Sequence, residues 1–164
     1  MATAPKIAIR AVRTLSGYSI PRMDFPEAAA QTFKKGAPLV LTVGYLNECG
    51  ADPALIIGFA TRDGQDGTAA GDKTQTVELA SPDTVFEGNI GDGSDAAVTA
   101  ATDRGKAYGI AKRSADGKWY VDNSDTSNKR VMVLDLADHD ATGDIMGRVY
   151  FMVDPKYMQM NYTT

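Results

Sequence analysis

The sequence predicts a mainly β protein: an antiparallel β-barrel, or a β-tulip or sandwich, of about eight short strands. An extended N-terminal arm and one or two short helices complete the predicted fold. Glycine recurs every six to eight residues in GAPLVLTVGYLNECGADPALIIGFATRDG at 36–64, and short apolar runs lie between. Similar runs elsewhere are rich in β-branched or aromatic residues and end at Gly, Asp, Asn or Pro. The 36–64 segment also lacks the apolar stripe of an amphipathic helix.

The first predicted element is an extended arm over residues 1–32. Ile7, Ile9 and Ala11 alternate with other residues, which is strand-like spacing, but the segment shows no clear core face. We therefore expect the arm to pair with a partner. The expected contact residues are Lys6, Ile7, Ile9, Arg10, Arg13 and Tyr18.

The body, residues 33–155, contains the predicted strands. Each is a short apolar run bounded by turn-forming residues. Asp beside Gly marks most of the turns, because these residues suit tight turns. The predicted strands are 38–43, 56–61, 75–80, 84–89, 108–113, 118–122, 130–136 and 146–153.

Helices are predicted at two places only, and both are short. Pro26 predicts one or two helical turns over 26–33, since proline favours the first helical position. Thr102 is the expected N-cap of a helix over 102–106. The sequence ADG at 115–117, between two predicted strands, indicates a β-hairpin.

The C-terminal tail, residues 156–164, is rich in tyrosine and methionine, which are enriched at protein interfaces. One interpretation is that the tail packs on its own barrel. The other is that it contacts a second subunit, and then a symmetric homotrimer, or alternatively a dimer, would bury it. The subunit-contact residues would be Tyr157, Met158, Met160 and Tyr162.

The net charge of −4 conceals an uneven distribution. Residues 1–35 carry six basic and two acidic side chains, a net +4, whereas residues 36–164 carry eleven basic and nineteen acidic side chains, a net −8. A basic N-terminal segment suits an acidic partner. The acidic body argues against nucleic acid as that partner, since nucleic-acid-binding surfaces are basic. No run of about 20 apolar residues indicates a membrane span.

Side chains that commonly act in catalysis or bind metals are scarce. One cysteine, Cys49, and one histidine, His139, cannot supply four zinc ligands. The aspartates Asp138, Asp140 and Asp144 lie in a segment that reads as a polar turn, with a loose calcium site as the alternative. No phosphate-binding loop, dinucleotide fingerprint or nucleophile elbow occurs. The sequence thus predicts no catalytic residue, cofactor or resident metal.

Three stretches carry a resemblance to a known family: FKKGAPLVLTVGYLNECGADPALIIGFA, TDRGKAYGIAKRSADGKWYVD and GRVYFMV. Together they span residues 33–153 and resemble the capsid cement or head decoration proteins of tailed bacteriophages. The resemblance implies a β-barrel or tulip-like body and a non-enzymatic structural role. It also implies a trimer or dimer that binds the major capsid protein on the outer capsid surface.

Two other functions stay open on the sequence. The chain could be a different virion part, such as a tail-tube, neck or fibre-associated protein. It could also be a β-barrel that binds a small ligand, which would require a hollow interior. The chain is expected to be made in the host cytoplasm, without direct contact to nucleic acid or membrane.

Overall fold

Eleven strands form most of the regular structure in the computed structural model, which describes residues 3–94, 96, 99–137 and 142–160. Two 3₁₀ helices, Ala101–Asp103 and Pro155–Tyr157, accompany them. The mainly β class is confirmed. The strands are β1 (Arg10–Thr14), β2 (Arg22–Pro26), β3 (Pro38–Thr42), β4 (Tyr45–Glu48), β5 (Gly58–Ala60), β6 (Thr74–Leu79), β7 (Thr84–Gly91), β8 (Ala107–Lys112), β9 (Trp119–Asp122), β10 (Val131–Leu136) and β11 (Arg148–Val153).

Five of these strands close into a barrel. The order β7-β11-β10-β8-β9 is antiparallel throughout, and a short parallel pairing of β9 with β7 completes the ring. Ile90 and Ile110 both pair with Val121, so the three side chains share one face, and all three are buried. The barrel therefore has a packed interior. β1 adds to the free side of β7.

The second sheet is antiparallel in the order β2-β6-β5-β3-β4, and its two outer strands meet where Glu27, just after β2, bridges to Leu46 on β4. It packs on the barrel sheet through three buried phenylalanines. The Phe59 ring on β5 lies 4.6 Å from that of Phe86 on β7 and 6.2 Å from that of Phe151 on β11, measured between centroids. Tilted and edge-on rings at these distances pack favourably. One continuous hydrophobic core thus joins the two sheets.

All eight predicted strands are present, with bounds shifted by up to two residues at either end. The ADG turn at 115–117 joins the antiparallel strands β8 and β9, as predicted, and Gly117 there has φ +71°. Two stretches with a similar pattern, IIGFATRDGQDG at 56–67 and AYGIAKRSADGK at 107–118, do not form equivalent strands, because β5 lies in the second sheet and β8 in the barrel.

The N-terminal segment is part of the body and not a separate arm, while its contact with a partner stays a prediction. β1 pairs with β7 and β2 pairs with β6, so the segment contributes one strand to each sheet of its own chain. Ile9, only 1% exposed, packs against the backbone at Gly88 and forms part of the core. The alternation of Ile7, Ile9 and Ala11 indicated extended chain, but β1 itself buries only Ala11 and Thr14, which is too short a core face to recognise.

The predicted helix over 26–33 is also wrong. Glu27 continues the extended chain of β2 and bridges to Leu46, and its N–H donates to the carbonyl of Lys73. At 102–106 the structure has one 3₁₀ turn, Ala101–Asp103, whose N-cap is Ala100 rather than Thr102. In the described part of the chain, no helix is long and apolar enough to cross a membrane.

The described part of the tail packs on its own chain. Met158 is 2% exposed and bridges to Ile56. The side chain of Gln159 closes a pair of hydrogen bonds with the backbone of Leu41, both at 2.8 Å. This matches the first of the two interpretations as far as Met160. Tyr162 lies outside the described residues.

Candidate interaction surfaces

A basic groove of about 380 Å³ lies between the two sheets, where edge strand β1 faces β6 and β2. Three cationic side chains line it, one from β1, one from β2 and one from the turn before β3. The lining residues are Arg10, Arg22 and Lys35, together with Ala11, Thr61, Thr76 and Glu78. We call this surface the basic groove.

Buried carboxylates hold both arginines of the basic groove in place. Arg10 donates from Nε and Nη2 to Oε2 of buried Glu87, at 3.1 and 2.8 Å. Arg22 donates from Nη2 to Oε2 of buried Glu78 at 2.9 Å. Oε1 of Glu78 accepts the backbone N–H of Ala11 at 3.2 Å, which fixes that carboxylate in turn. Charge-assisted bonds of this kind orient a guanidinium strongly.

The charges around the basic groove do not cancel. Arg148 also approaches Glu87, with its Nη1 3.4 Å from Oε1. The lining of the groove carries three cations, Arg10, Arg22 and Lys35, and one carboxylate, Glu78, which is an excess of two positive charges.

An apolar groove of about 410 Å³ lies on the outer face of the barrel. Met132 pairs with Met152 on one side and Ala107 on the other, so their side chains share a face of the sheet. Met132 is 45% exposed and Leu15, at the end of β1, is 61% exposed. The remaining lining residues are Pro82, Val131, Val153, Asp154 and Pro155. We call this surface the apolar groove.

A hydrogen-bonded turn presents Leu15 and the neighbouring Tyr18. Ser16 donates from its backbone N–H and its hydroxyl to the carboxylate of Asp83, and Thr14 donates from its hydroxyl to the carbonyl of Tyr18. Gly17, at φ +80°, makes the bend. Tyr18 is 81% exposed on this turn. Local bonding thus holds two large apolar side chains out toward solvent.

The tip of the β3–β4 hairpin is strained and apolar. Val43 has φ +51° and is 91% exposed. A left-handed conformation is unfavourable for a β-branched residue, and hairpins of this kind prefer Asn or Gly there. The conformation of Val43 therefore costs stability, and exposure leaves its side chain without compensating contacts.

A third groove, of about 500 Å³, lies between β4 and the strands β8 and β9. Glu48 accepts bonds from Nε1 of Trp119 and from Nζ of Lys112, both at 2.9 Å. Cys49 lies beside it, and burial raises the pKa of its thiol to about 12. At neutral pH the thiol is protonated, so Cys49 is a packing residue here and not an activated nucleophile.

The predicted arm contacts fall into two groups. Ile9 is buried, the N–H of Ile7 donates to Oδ1 of Asn89, and the carbonyl of Lys6 accepts Nζ of Lys118. These three join the N-terminal segment to the body. The others face outward: Arg10 in the basic groove, Arg13 with its guanidinium 5.0 Å from the ring centre of Tyr150, and Tyr18 on its turn.

The predicted tail contacts divide in the same way. Met158 is buried, and Tyr157 lies under the guanidinium of Arg130, 4.1 Å from its ring centre. Met160 is partly exposed and stays available to a partner. Sequence reasoning did not find Arg22, Lys35, Met132 or Val43, because each acquires its role from neighbours distant in the chain.

The segment predicted as a polar turn or a loose calcium site lies mostly outside the described residues. Asp138, His139 and Asp140 fall in the undescribed segment 138–141, and Asp144 offers its carbonyl to the N–H of Thr99. Among the described residues, no group of three or more His, Cys, Asp or Glu side chains could hold a metal ion. The loose calcium site therefore stays a prediction.

The three grooves gain no assignment from known proteins. No family model matches the chain, and neither a curated protein nor a solved structure does. What the surfaces bind therefore has to be inferred from the residues that line them.

Proposed function

We propose that the protein is a non-enzymatic structural protein that binds the outside of a phage capsid and stabilises it, as a cement or decoration protein. The apolar groove carries the binding part of this proposal. Exposed apolar surface with a polar surround is typical of protein-interaction sites. The partner, the major capsid protein, is proposed from the resemblance of residues 33–153 to capsid cement proteins.

The rigid elements that carry the apolar groove support a docking role. Met132 and Met152 lie on paired strands of a closed barrel, and the turn that carries Leu15 is bonded to Asp83. Rigid elements keep the contact surface in one shape, so little conformational entropy is lost when a partner binds. Methionine side chains also adapt to the surface of a partner.

A ligand-binding barrel is the less favoured alternative. Such a barrel needs interior space, and barrels of about eight strands are the smallest that hold a ligand. Here five strands close around Ile90, Ile110 and Val121, which are at most 3% exposed. A different virion part, such as a tail-tube, neck or fibre-associated protein, is the second candidate, because its docking surface would have the same character.

The proposed assembly is a homotrimer, with a dimer as the alternative, made in the host cytoplasm and located on the outer surface of the virion. Simultaneous weak contacts from linked copies raise avidity by roughly 10²–10⁴. The C-terminal tail is weaker support for a trimer than its composition suggested, because Met158 is buried against its own chain. Exposed Met160 and Val43 are the candidate subunit contacts.

Co-sedimentation with capsids tests the proposal. The double variant Leu15→Ser/Met132→Ser should bind expanded heads of the parent phage at least about tenfold more weakly, as expected for loss of two apolar anchors. Leu55→Ser is the matched control, since Leu55 is 42% exposed but lies outside the apolar groove. Equal binding by all three proteins, or no binding of the wild type, would overturn the proposal.

A further inference from the structure

We infer that the basic groove binds a carboxylate-bearing segment of a partner protein. This assigns a chemistry to a second surface, distinct from the apolar groove. It does not depend on the partner being a capsid, because it rests on the charges and donors of the groove alone.

Unused hydrogen-bond donors point to the ligand. A guanidinium has five N–H donors, and the bonds to Glu87 and Glu78 occupy part of those of Arg10 and Arg22. Lys35 bonds Asp63 through its backbone N–H. Among the described residues, no carboxylate lies within salt-bridge distance of the ammonium group of Lys35, which leaves its three donors available.

The groove is organised before a ligand arrives. Glu78 and Glu87, both at most 5% exposed, hold the two guanidiniums at its wall. Charged donors already held in place lose little side-chain entropy on binding. Planar guanidiniums match carboxylates in a two-bond geometry, so two of them beside Lys35 suit an acidic side chain.

The mode of binding follows from the edge of β1. Extended peptides commonly add to a free strand edge through backbone bonds. The N–H of Ala11 on this edge is already donated to Glu78. An incoming segment would therefore be held by its side chains, and a cluster of Glu or Asp supplies them.

Nucleic acid is the less favoured polyanion. Binding to a phosphate backbone requires cations along an extended track. Here the excess of two positive charges is confined to one short groove, and residues 36–164 carry a net charge of −8. A long polyanion that entered the groove would meet repulsion on either side of it.

Isothermal titration at low salt tests the inference, with a short polyglutamate peptide as the probe and inorganic phosphate and oligo-dT as comparators. The peptide should bind saturably, and added salt should weaken it, because salt screens exposed charges. Lys35→Glu should lower the peptide affinity about tenfold, since it replaces attraction by repulsion. Lys34→Glu is the matched control: Lys34 is also exposed but pairs with Asp63 outside the groove.

A second variant keeps the test decisive if charge reversal perturbs the fold. Arg22→Gln/Glu78→Gln removes exposed Arg22 together with its buried partner Glu78, so no unpaired carboxylate is left buried, and it should also weaken peptide binding severalfold. Stronger binding of oligo-dT than of the peptide would overturn the inference. So would peptide affinity that falls equally in Lys34→Glu and Lys35→Glu, or the absence of peptide binding.

Discussion

All eight residues of β7 are buried, whereas no residue of β2 is. β7 is a barrel strand with strand neighbours on both sides, and it also packs on the second sheet through Phe86. β2 lies at the end of the second sheet, where it pairs with β6 and is followed by Glu27, which bridges to β4. The region around β7 thus holds the fold together, whereas β1 and β2 supply surface.

The buried polar residues of β7 show how the two regions depend on each other. Glu87 accepts bonds from Arg10, and Asn89 donates to the carbonyls of Pro5 and Met146 and accepts the N–H of Ile7. A buried polar group without partners is costly. The N-terminal segment therefore stabilises β7 as well as forming one wall of the basic groove.

Deletion of residues 1–25 should have the largest effect. It removes β1, most of β2 and the buried side chain of Ile9, and it takes Arg10 from Glu87 and both Ile7 and Pro5 from Asn89. The expected cost of about 5 kcal/mol or more approaches the whole stability of a typical domain. Circular dichroism during denaturant unfolding measures it. A truncated protein that unfolds at the wild-type midpoint would show that the segment is a dispensable arm.

Phe86→Ala should have the next largest effect. Phe86 is fully buried against Phe59 and Phe151, so its removal should lower the free energy of unfolding by about 3–5 kcal/mol. Met23→Ala on β2 is the control and should cost less than about 1 kcal/mol, because Met23 is half exposed. Similar costs for the two variants would remove the contrast between β7 and β2.

Alkaline pH should destabilise the barrel through the buried phenol of Tyr108. Burial, and then the hydrogen bond and charge of Asp103, raise the pKa of Tyr108 to about 12. Because the native state favours the neutral phenol, its contribution is complete below pH 10 and is lost as the pH rises to about 12. The expected loss is about 2 kcal/mol.

Denaturant unfolding at several pH values measures this loss, with Tyr108→Phe as the control. The variant cannot ionise at this position, so its stability should fall less steeply between pH 10 and about 12. Cys49, with its pKa also raised to about 12, adds to the slope in both proteins. Identical slopes would show that Tyr108 is not shielded in the native state.

Sequence patterns revealed the strands whose own residues have a strong β propensity. β3, β6, β10 and β11 each contain several β-branched or aromatic residues, which local propensity detects. β4 (Tyr45–Glu48) contains no β-branched residue and depends on its tight turn to β3. β2 has no buried face, so no hydrophobic alternation was available to reveal it.

Features that depend on contacts between distant parts of the chain could not be predicted from the sequence. Closure of the barrel depends on two residue pairs, Ile90 with Val121 and Gly91 with Asp122, in strands joined by a long connection. In the basic groove, the pairing of β2 with β6 places Arg22 opposite Glu78, and the approach of β1 to β6, through the bond from Ala11 to Glu78, adds Arg10. The excess of basic residues in 1–35 indicated the sign of this surface but not its shape.

Val43→Asn should have the smallest effect, and in the opposite direction. Asn tolerates φ +51° better than a β-branched residue, so the variant should gain up to about 1 kcal/mol of stability. Val43→Ala is the control and should gain less, because it keeps an ordinary Cβ without the local hydrogen bonding of Asn. A loss of stability in Val43→Asn would show that the valine side chain contributes to the fold.

Electron microscopy of phage particles that carry the labelled protein tests the central proposal most directly. Label on the outer surface of the head, and its disappearance with Leu15→Ser/Met132→Ser but not with Leu55→Ser, is the predicted result. Label on the tail would favour the other virion roles. Particles without label, or head label that persists in the double variant, would contradict capsid docking through the apolar groove.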